Sequence, residues 1–248
     1  MRTVAIIQAR LGSSRLPGKV LLDVAGKSVL AHVIERVRAA QRLDDIMVAT
    51  TEETHDFAVA EEARRCQAEV FRGSEGDVLA RYYGAARTSA AEVIVRVTAD
   101  CPLFDPVVLD QMLGQFQREA DPGNGPDYLS NTLTRTFPRG LDAEIFTFAA
   151  LEVAAREAAE AYEREHVTLF IYHHPKRFRL RSFERSPDLS GLRWTLDTPE
   201  DWDFIKAVYE ALYAPNELFG TEDVLELLRR KPELALLNAH VEQKKLEH

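Results

Sequence analysis

Three cations, Arg10, Arg15 and Lys19, stand near the start of the chain in a stretch that also holds Gly12, Gly18, Ser13, Ser14 and Pro17. Glycine lets backbone approach a ligand closely, serine hydroxyls and loop N–H groups donate hydrogen bonds, and guanidinium and ammonium groups neutralise phosphate oxygens. That composition suits a polyanion, a triphosphate above all. Two carboxylates sit at the ends of later β-rich runs: Asp100 closes Glu92–Ala99 and precedes Cys101-Pro102, and Asp197 closes Arg193-Trp194-Thr195-Leu196. Carboxylates at strand ends suit Mg2+ held against triphosphate oxygens. Phosphoryl and nucleotidyl transfer need alignment and charge stabilisation rather than covalent chemistry from the protein, and these residue types supply both. Plainer readings exist for each: a solvated basic turn, a turn acid before proline at Asp100, and a helix-start acid at Asp197.

Two familiar phosphate loops are excluded. The P-loop pattern G-x-x-x-x-G-K-[ST] fails because the gap from Gly12 to Gly18 is one residue too long and Val20 follows Lys19. The dinucleotide fingerprint G-x-G-x-x-G is absent, so nothing asks for NAD or FAD.

The elements that must position these groups alternate. The run Val4–Gln8 reads as a strand, and Ser28 caps a helix to about Gln41 in which Val29, Leu30, Val33, Ile34 and Val37 recur at helical spacing. A strand at Ile46–Thr50, a helix from about His55 to Cys66, a strand at Val70-Phe71 and a helix through Val78, Leu79, Tyr82 and Tyr83 follow. This order predicts an α/β fold with a mostly parallel sheet covered on both faces. In such sheets ligands bind beyond the carboxyl ends of the strands, where the first loop and Asp100 both fall. Gly73-Ser74-Glu75-Gly76-Asp77 reads either as a second wall of the site, through Ser74 and Asp77, or as an ordinary turn before a helix.

Asp105 and Pro106 open a helix to about Arg118, and the turn cluster Asp121–Pro126 starts an inserted section, 121–185. Strands at Asp127–Asn131 and Ala143–Phe146 flank the cationic loop Arg135–Asp142. Helices from Phe148 to about Glu160 and from Glu163 to His173, and a strand at Phe178–Phe183, complete that section. A last strand is expected at Arg193–Asp197. Thr198, Pro199 and Asp201 then start a helix as cap, first residue and capping-box acid, which leaves Asp197 free for a metal. His173-His174-Pro175 reads as an exposed helix end and is assigned no zinc.

The chain of 248 residues is read as a single domain, 1–245, with Leu246-Glu247-His248 as an expression-tag remnant. A hydrophobic fraction of 46% and a charged fraction of 29% are those of a soluble globular protein. No run approaches ~20 apolar residues and no leader precedes the first strand, so a cytoplasmic protein with no membrane partner is expected. The net charge of −9 disfavours nucleic acid and assigns the basic loop to a local anion. Cys66 and Cys101 are read as free thiols. A symmetric homodimer is expected, paired through apolar surface of the inserted section.

The stretch Ala9-Arg10 with Ser13-Ser14-Arg15-Leu16-Pro17-Gly18-Lys19 resembles the nucleotide-binding loop of the sugar-acid cytidylyltransferases, which include the CMP-octulosonate and CMP-sialate synthetases and related spore-coat polysaccharide proteins. Asp100 before x-Pro matches the family's metal-binding Asp, and Asp197-Thr198-Pro199-Glu200-Asp201 matches its Asp-Thr-Pro-x-Asp motif. The Gly-Ser-acidic-x-Asp stretch at Gly73–Asp77 and Arg164-Glu165-His166-Val167-Thr168 are similar to stretches of the spore-coat group. One departure is Thr98-Ala99-Asp100-Cys101-Pro102, where the octulosonate enzymes have Gln-Gly-Asp-x-Pro.

The resemblance runs from Val4 to Trp202 and implies a three-layer, Rossmann-like sheet of the nucleotide-diphospho-sugar transferase type. It implies CMP transfer from CTP to an acidic sugar, releasing pyrophosphate, with Mg2+ on Asp100 and Asp197. Gln8, Ala9, Arg10, Gly12, Ser13, Ser14, Arg15, Lys19, Ser74 and Asp77 then hold the nucleotide. Arg15, Lys19 and Asp100 are the catalytic candidates, and Arg139, Asp142 and His166 are the acceptor candidates. Two other readings stay open at this stage: another sugar nucleotidyltransferase or a glycosyltransferase on the same sheet, and a nonenzymatic nucleotide-binding protein.

Overall fold

The computed structural model describes residues 1–120, 124–215 and 217–243. The chain opens with β1 (Thr3–Gln8), passes a small hairpin of β2 (Asp23–Val24) and β3 (Lys27–Ser28), and enters α1 (Val29–Arg38). Then come β4 (Asp45–Thr51), α2 (Phe57–Arg65), β5 (Glu69–Gly73), α3 (Val78–Thr88), β6 (Val93–Thr98) and α4 (Pro106–Arg118). The inserted section supplies β7 (Tyr128–Ser130), β8 (Glu144–Thr147), α5 (Phe148–Glu157), α6 (Ala161–Glu165), α7 (Leu169–His173) and β9 (Leu180–Ser182). The helices α8 (Pro199–Leu212), α9 (Thr221–Arg230) and α10 (Glu233–Leu236) follow.

Side-chain caps set several helix starts. Ser28 accepts from the Ala31 N–H, Asp77 from Ala80, and Asp105 from Val107 with Pro106 in the first turn. At α8 the Thr198 hydroxyl accepts from the Asp201 N–H while the Asp201 carboxylate accepts from the Thr198 N–H, a reciprocal capping box.

Seven strands form one sheet in the order β5-β4-β1-β6-β8-β7-β9. The pairs β5/β4, β4/β1, β1/β6 and β7/β9 are parallel, whereas β8 is antiparallel to both its neighbours, so β8 alone runs against the rest. The strands of the inserted section thus extend the main sheet. Alternation along β1 divides the core: Ala5 and Ile7 pack with α1, α4, α8 and α9 on one face, and Val4 and Ile6 pack with α3, α5 and α7 on the other. This is the three-layer, mostly parallel architecture expected.

Three expectations need correction. Arg193–Asp197 is not a strand; Arg193 makes one isolated bridge to Arg139, and the segment is hydrogen-bonded to two loops, through the Trp194 N–H to the Arg139 carbonyl and the Leu196 N–H to the Asp100 carbonyl. The helix expected over 163–173 breaks between α6 and α7, where Val167 adopts φ 58, a left-handed conformation that ends a helix. The apolar residues of the inserted section are largely spent inside the chain, since Tyr128, Leu129, Ile145 and Phe146 are wholly buried. Leu133 is the only large hydrophobic side chain of that section exposed among the described residues. The expected turn at Asp121–Gly123, the domain end at Lys244-Lys245 and the tag remnant at 246–248 lie outside the described residues. Among the described residues no helix is long and apolar enough to cross a membrane.

Candidate active site

The chain proceeds from β1 to strands on one side of it, β4 and β5, and then to β6 on the other side. The carboxyl ends of β1 and β6 therefore flank the point where strand order reverses, the crevice in which open α/β sheets bind ligands. Gln8 pairs with Thr98 in the ladder, and the Ala99 N–H donates to the Gln8 carbonyl at 2.9 Å, so the basic loop and Asp100 leave the sheet side by side. Asp197 reaches the same place from elsewhere. The Leu196 N–H donates to the Asp100 carbonyl at 2.8 Å, which lays the Asp197 segment on the Asp100 loop.

The first loop is held from below by Asp56, a fully buried acid in the turn before α2. One Asp56 oxygen accepts from the Leu11 N–H at 2.7 Å and the other from the Thr51 hydroxyl. Gly18, at φ 70, folds the loop back so that its N–H donates to the Leu11 carbonyl at 3.2 Å. All the loop residues expected to hold nucleotide, Gln8, Ala9, Arg10, Gly12, Ser13, Ser14, Arg15 and Lys19, line one cavity of about 300 Å3 together with Asp100.

At the floor of that cavity Lys19 joins the two acids. Its ammonium donates to Asp100 Oδ2 at 2.7 Å, Asp197 Oδ1 at 2.8 Å and the Leu196 carbonyl at 2.8 Å. Burial alone would lower the Lys19 pKa, but the two carboxylates outweigh it and raise it above the ordinary lysine value. Burial likewise works to raise the Asp100 carboxyl, and Lys19 with the Thr98 hydroxyl overcomes it, keeping Asp100 below the usual range and ionised. Asp197 Oδ2 faces Arg193 at 3.1 Å and Arg15 at 3.3 Å. Arg193 is itself clamped by Asp201, through contacts of 2.8 and 2.9 Å, so the helix-capping acid also fixes the guanidinium that aims Asp197.

Among the described residues no group of three or more His, Cys, Asp or Glu side chains gathers as a self-sufficient metal cage. The donor set fits Mg2+ all the same, because that ion is usually bound by one or two carboxylates and completes its shell with phosphate oxygens and water. A cation already stands between the two carboxylates, the ammonium of Lys19.

A second cavity, about 420 Å3, shares Arg15, Asp100 and Asp197 with this floor and is lined by all three acceptor candidates, Arg139, Asp142 and His166. Asp142 is held by Arg135 through two contacts of 2.6 and 2.9 Å. The Arg139 guanidinium has no ion pair among the described residues, and burial together with Arg135 and Arg193 lowers its pKa against the pull of Asp142. A further pocket of about 210 Å3 continues past Thr98, His166 and Tyr172. Its charges are paired: Arg96 bonds Glu144, which also accepts from Tyr128 at 2.6 Å and Thr168 at 2.5 Å.

Ser74 and Asp77 do not line the cavity walled by the basic loop. The Ser74 hydroxyl accepts from the Asp77 N–H, and Asp77 is spent on capping α3 and on Arg164 at 2.7 Å. The loop reaches the site through Glu75 instead, which pairs with Arg10 at 3.5 Å. Sequence reasoning also missed Asp56, Arg193 and Glu165, the last of which lines the same cavity from α6. Arg193, four residues before Asp197, and Glu165, beside His166, adjoin residues already singled out; Asp56 gave no local signal.

Residues 4–228 match the cytidylyltransferase family. The chain is 38% identical over 248 residues to an uncharacterised protein of Methanocaldococcus jannaschii, covering 98% of this chain and 97% of that one. It is 34% identical over 240 residues to the spore coat polysaccharide biosynthesis protein SpsF of Bacillus subtilis, covering 93% and 95%. The solved structure of a cytidylyltransferase from Leptospira borgpetersenii superposes with a TM-score of 0.89 at 33% identity, covering both chains completely. Matched to that family over residues 4–228 and similar to these relatives along nearly its whole length, the chain belongs to the cytidylyltransferase family.

Proposed function

We propose that this chain transfers CMP from CTP to a sugar acid with Mg2+, releasing pyrophosphate, in the biosynthesis of a surface polysaccharide. The observation that carries the reading is the meeting of Lys19, Asp100 and Asp197 where two cavities adjoin at Asp100, one walled by the basic loop and one by Arg139. The family supports nucleotidyl transfer and CTP, and the spore-coat relative supports the pathway.

Arg10, Arg15 and Lys19 bind and neutralise the triphosphate along the first cavity. Arg139 offers the acceptor a cation beside the reaction centre, which favours a sugar bearing an anion close to its reacting hydroxyl. The charge-balanced pocket beyond it, with Arg96–Glu144 and Arg135–Asp142 each paired, suits a neutral polyhydroxylated body that exchanges hydrogen bonds without bringing charge. Asp100 and Asp197 would hold Mg2+, which supplies charge neutralisation at the α-phosphate and lowers the pKa of the attacking hydroxyl. The hydroxyl oxygen forms its bond to the α-phosphorus as the bond to pyrophosphate breaks and its proton passes to solvent, while the arginines hold the line of attack and leaving-group charge.

The test is release of pyrophosphate from CTP and Mg2+ with a panel of acidic sugars. Asp100→Asn and Asp197→Asn preserve shape and remove the charge that holds a hard cation; each should lower turnover at least about 100-fold at a temperature where the variant is still folded, although loss of the ion pair with Lys19 also lowers the melting temperature. Full turnover in both variants would sink the metal assignment. A thermal-shift panel of the four NTPs with and without Mg2+ checks the base: a shift with another NTP but none with CTP removes the cytidylyl assignment.

A further inference from the structure

We infer that Lys19 is a displaceable plug in the divalent-cation seat, so that metal and triphosphate bind cooperatively through the movement of one ammonium group. The inference rests on the function proposed above for the Asp100–Asp197 pair.

All three donors of the Lys19 ammonium are used, on Asp100 Oδ2, Asp197 Oδ1 and the Leu196 carbonyl, and its side chain is only 11% exposed. The remaining carboxylate oxygens are engaged too. Asp100 Oδ1 accepts from the Thr98 hydroxyl at 2.5 Å, and Asp197 Oδ2 faces Arg193 and Arg15. No carboxylate oxygen of the pair is without a donor. Mg2+ approaches its oxygens to about 2.0–2.1 Å and takes them in a rigid octahedron, so an ion bridging these two acids needs the space the ammonium fills. Like charge forbids the two from sharing it.

The way out for Lys19 is also on the page. The side chain lines the nucleotide cavity beside Ser13, Ser14 and Arg15, and it sits on a flexible four-carbon stem at the start of a three-residue turn, Lys19–Leu21. Without a triphosphate, an evicted ammonium gives up two carboxylates and gains only water. With a triphosphate in the cavity it exchanges them for phosphate oxygens. The triphosphate therefore opens the seat, and by linkage a filled seat strengthens triphosphate binding by the same factor.

The test is Mn2+ binding to the nucleotide-free protein, followed by the electron paramagnetic resonance of free Mn2+, with no turnover required. Lys19→Met keeps the length and removes the charge; it should bind Mn2+ at least about fivefold more tightly than wild type, the lower end of ordinary coupling factors. Lys19→Gln, which keeps donors for the two acids, should gain in the same direction and serves if the methionine variant folds poorly. Lys19→Arg, which keeps the charge, should gain nothing. The gain should vanish in Lys19→Met combined with Asp100→Asn, which ties it to this seat. Folded Met and Gln variants that bind Mn2+ no more tightly than wild type, or a gain that survives Asp100→Asn, would overturn the plug. The two readings fail separately: tight Mn2+ binding by Lys19→Met with no pyrophosphate from wild type sinks the function and spares the plug, and the converse does the reverse.

Discussion

At the scale of single residues, the polar groups divide into those bound to the chain's own needs and those that face a cavity. Arg15 belongs to the second kind: its side chain is 38% exposed and meets Asp197 at 3.3 Å. An exposed pair of this sort is worth at most about 1 kcal/mol, so Arg15→Ala should leave the melting temperature almost unchanged. The same change should weaken CTP binding about tenfold or more by calorimetry, because a charge-assisted hydrogen bond to phosphate is lost. His32 belongs to the first kind. Its ring lies 4.5 Å from Tyr209 and 5.5 Å from Tyr213, with Nε2 donating to the Val24 carbonyl at 2.8 Å. Burial pushes its pKa down, the Val24 bond and Glu35 oppose this, and Lys27 and Arg36 add to it. A histidine held neutral in the fold contributes stability above its ordinary pKa of about 6.5 and loses it as pH falls through the lowered folded value. Thermal unfolding followed from about pH 7.5 down to about pH 5 should show a falling midpoint whose slope shrinks in His32→Phe.

At the scale of elements, backbone approach is as decisive as side-chain chemistry. Gly140 has φ 103, and a Cβ built there would stand 2.5 Å from the Trp194 carbonyl carbon and 2.6 Å from the Thr195 nitrogen. Only glycine lets the Arg139 loop and the Arg193–Asp197 segment exchange hydrogen bonds, Arg139 N–H to Leu192 O at 3.0 Å and Trp194 N–H to Arg139 O at 2.6 Å. Gly140→Ala should cost about 3 kcal/mol in denaturant unfolding, through strain at a positive φ and a backbone collision, and lower turnover by separating Arg139 from Asp197. The helix starts were readable in advance because Ser28, Asp105-Pro106 and Thr198-Pro199-x-Asp201 act on backbone groups within a few residues. Arg193–Asp197 misled for the opposite reason. Its β-rich composition matches a buried extended segment, and composition does not distinguish a strand from an extended stretch pinned between loops. Ser74 and Asp77 misled similarly, since a residue suited to a ligand is equally suited to a turn or cap.

At the scale of the molecule, the first half of the sheet follows from local alternation: β1, β4, β5 and β6 with their helices are parallel crossover units, and their order puts the basic loop beside Asp100. The half of the sheet that holds β8 and β7 was less legible. The reversal of β8 and the Arg96–Glu144–Tyr128 network depend on pairings across the sheet, and no short stretch of sequence records them. The extended segment that carries Asp197 has one more consequence. The chain contains two tryptophans, and both flank that acid: Trp194 is buried against Gly140, and Trp202 is half-buried in the first turns of α8. Indole emission therefore reports on the packing around the segment that carries the second carboxylate. Gly140→Ala should shift that emission to the red while far-ultraviolet dichroism stays near wild type, and an unshifted spectrum would show that the loop had yielded elsewhere. The molecule thus carries an intrinsic optical gauge of the place where Asp197 meets Lys19 and Asp100.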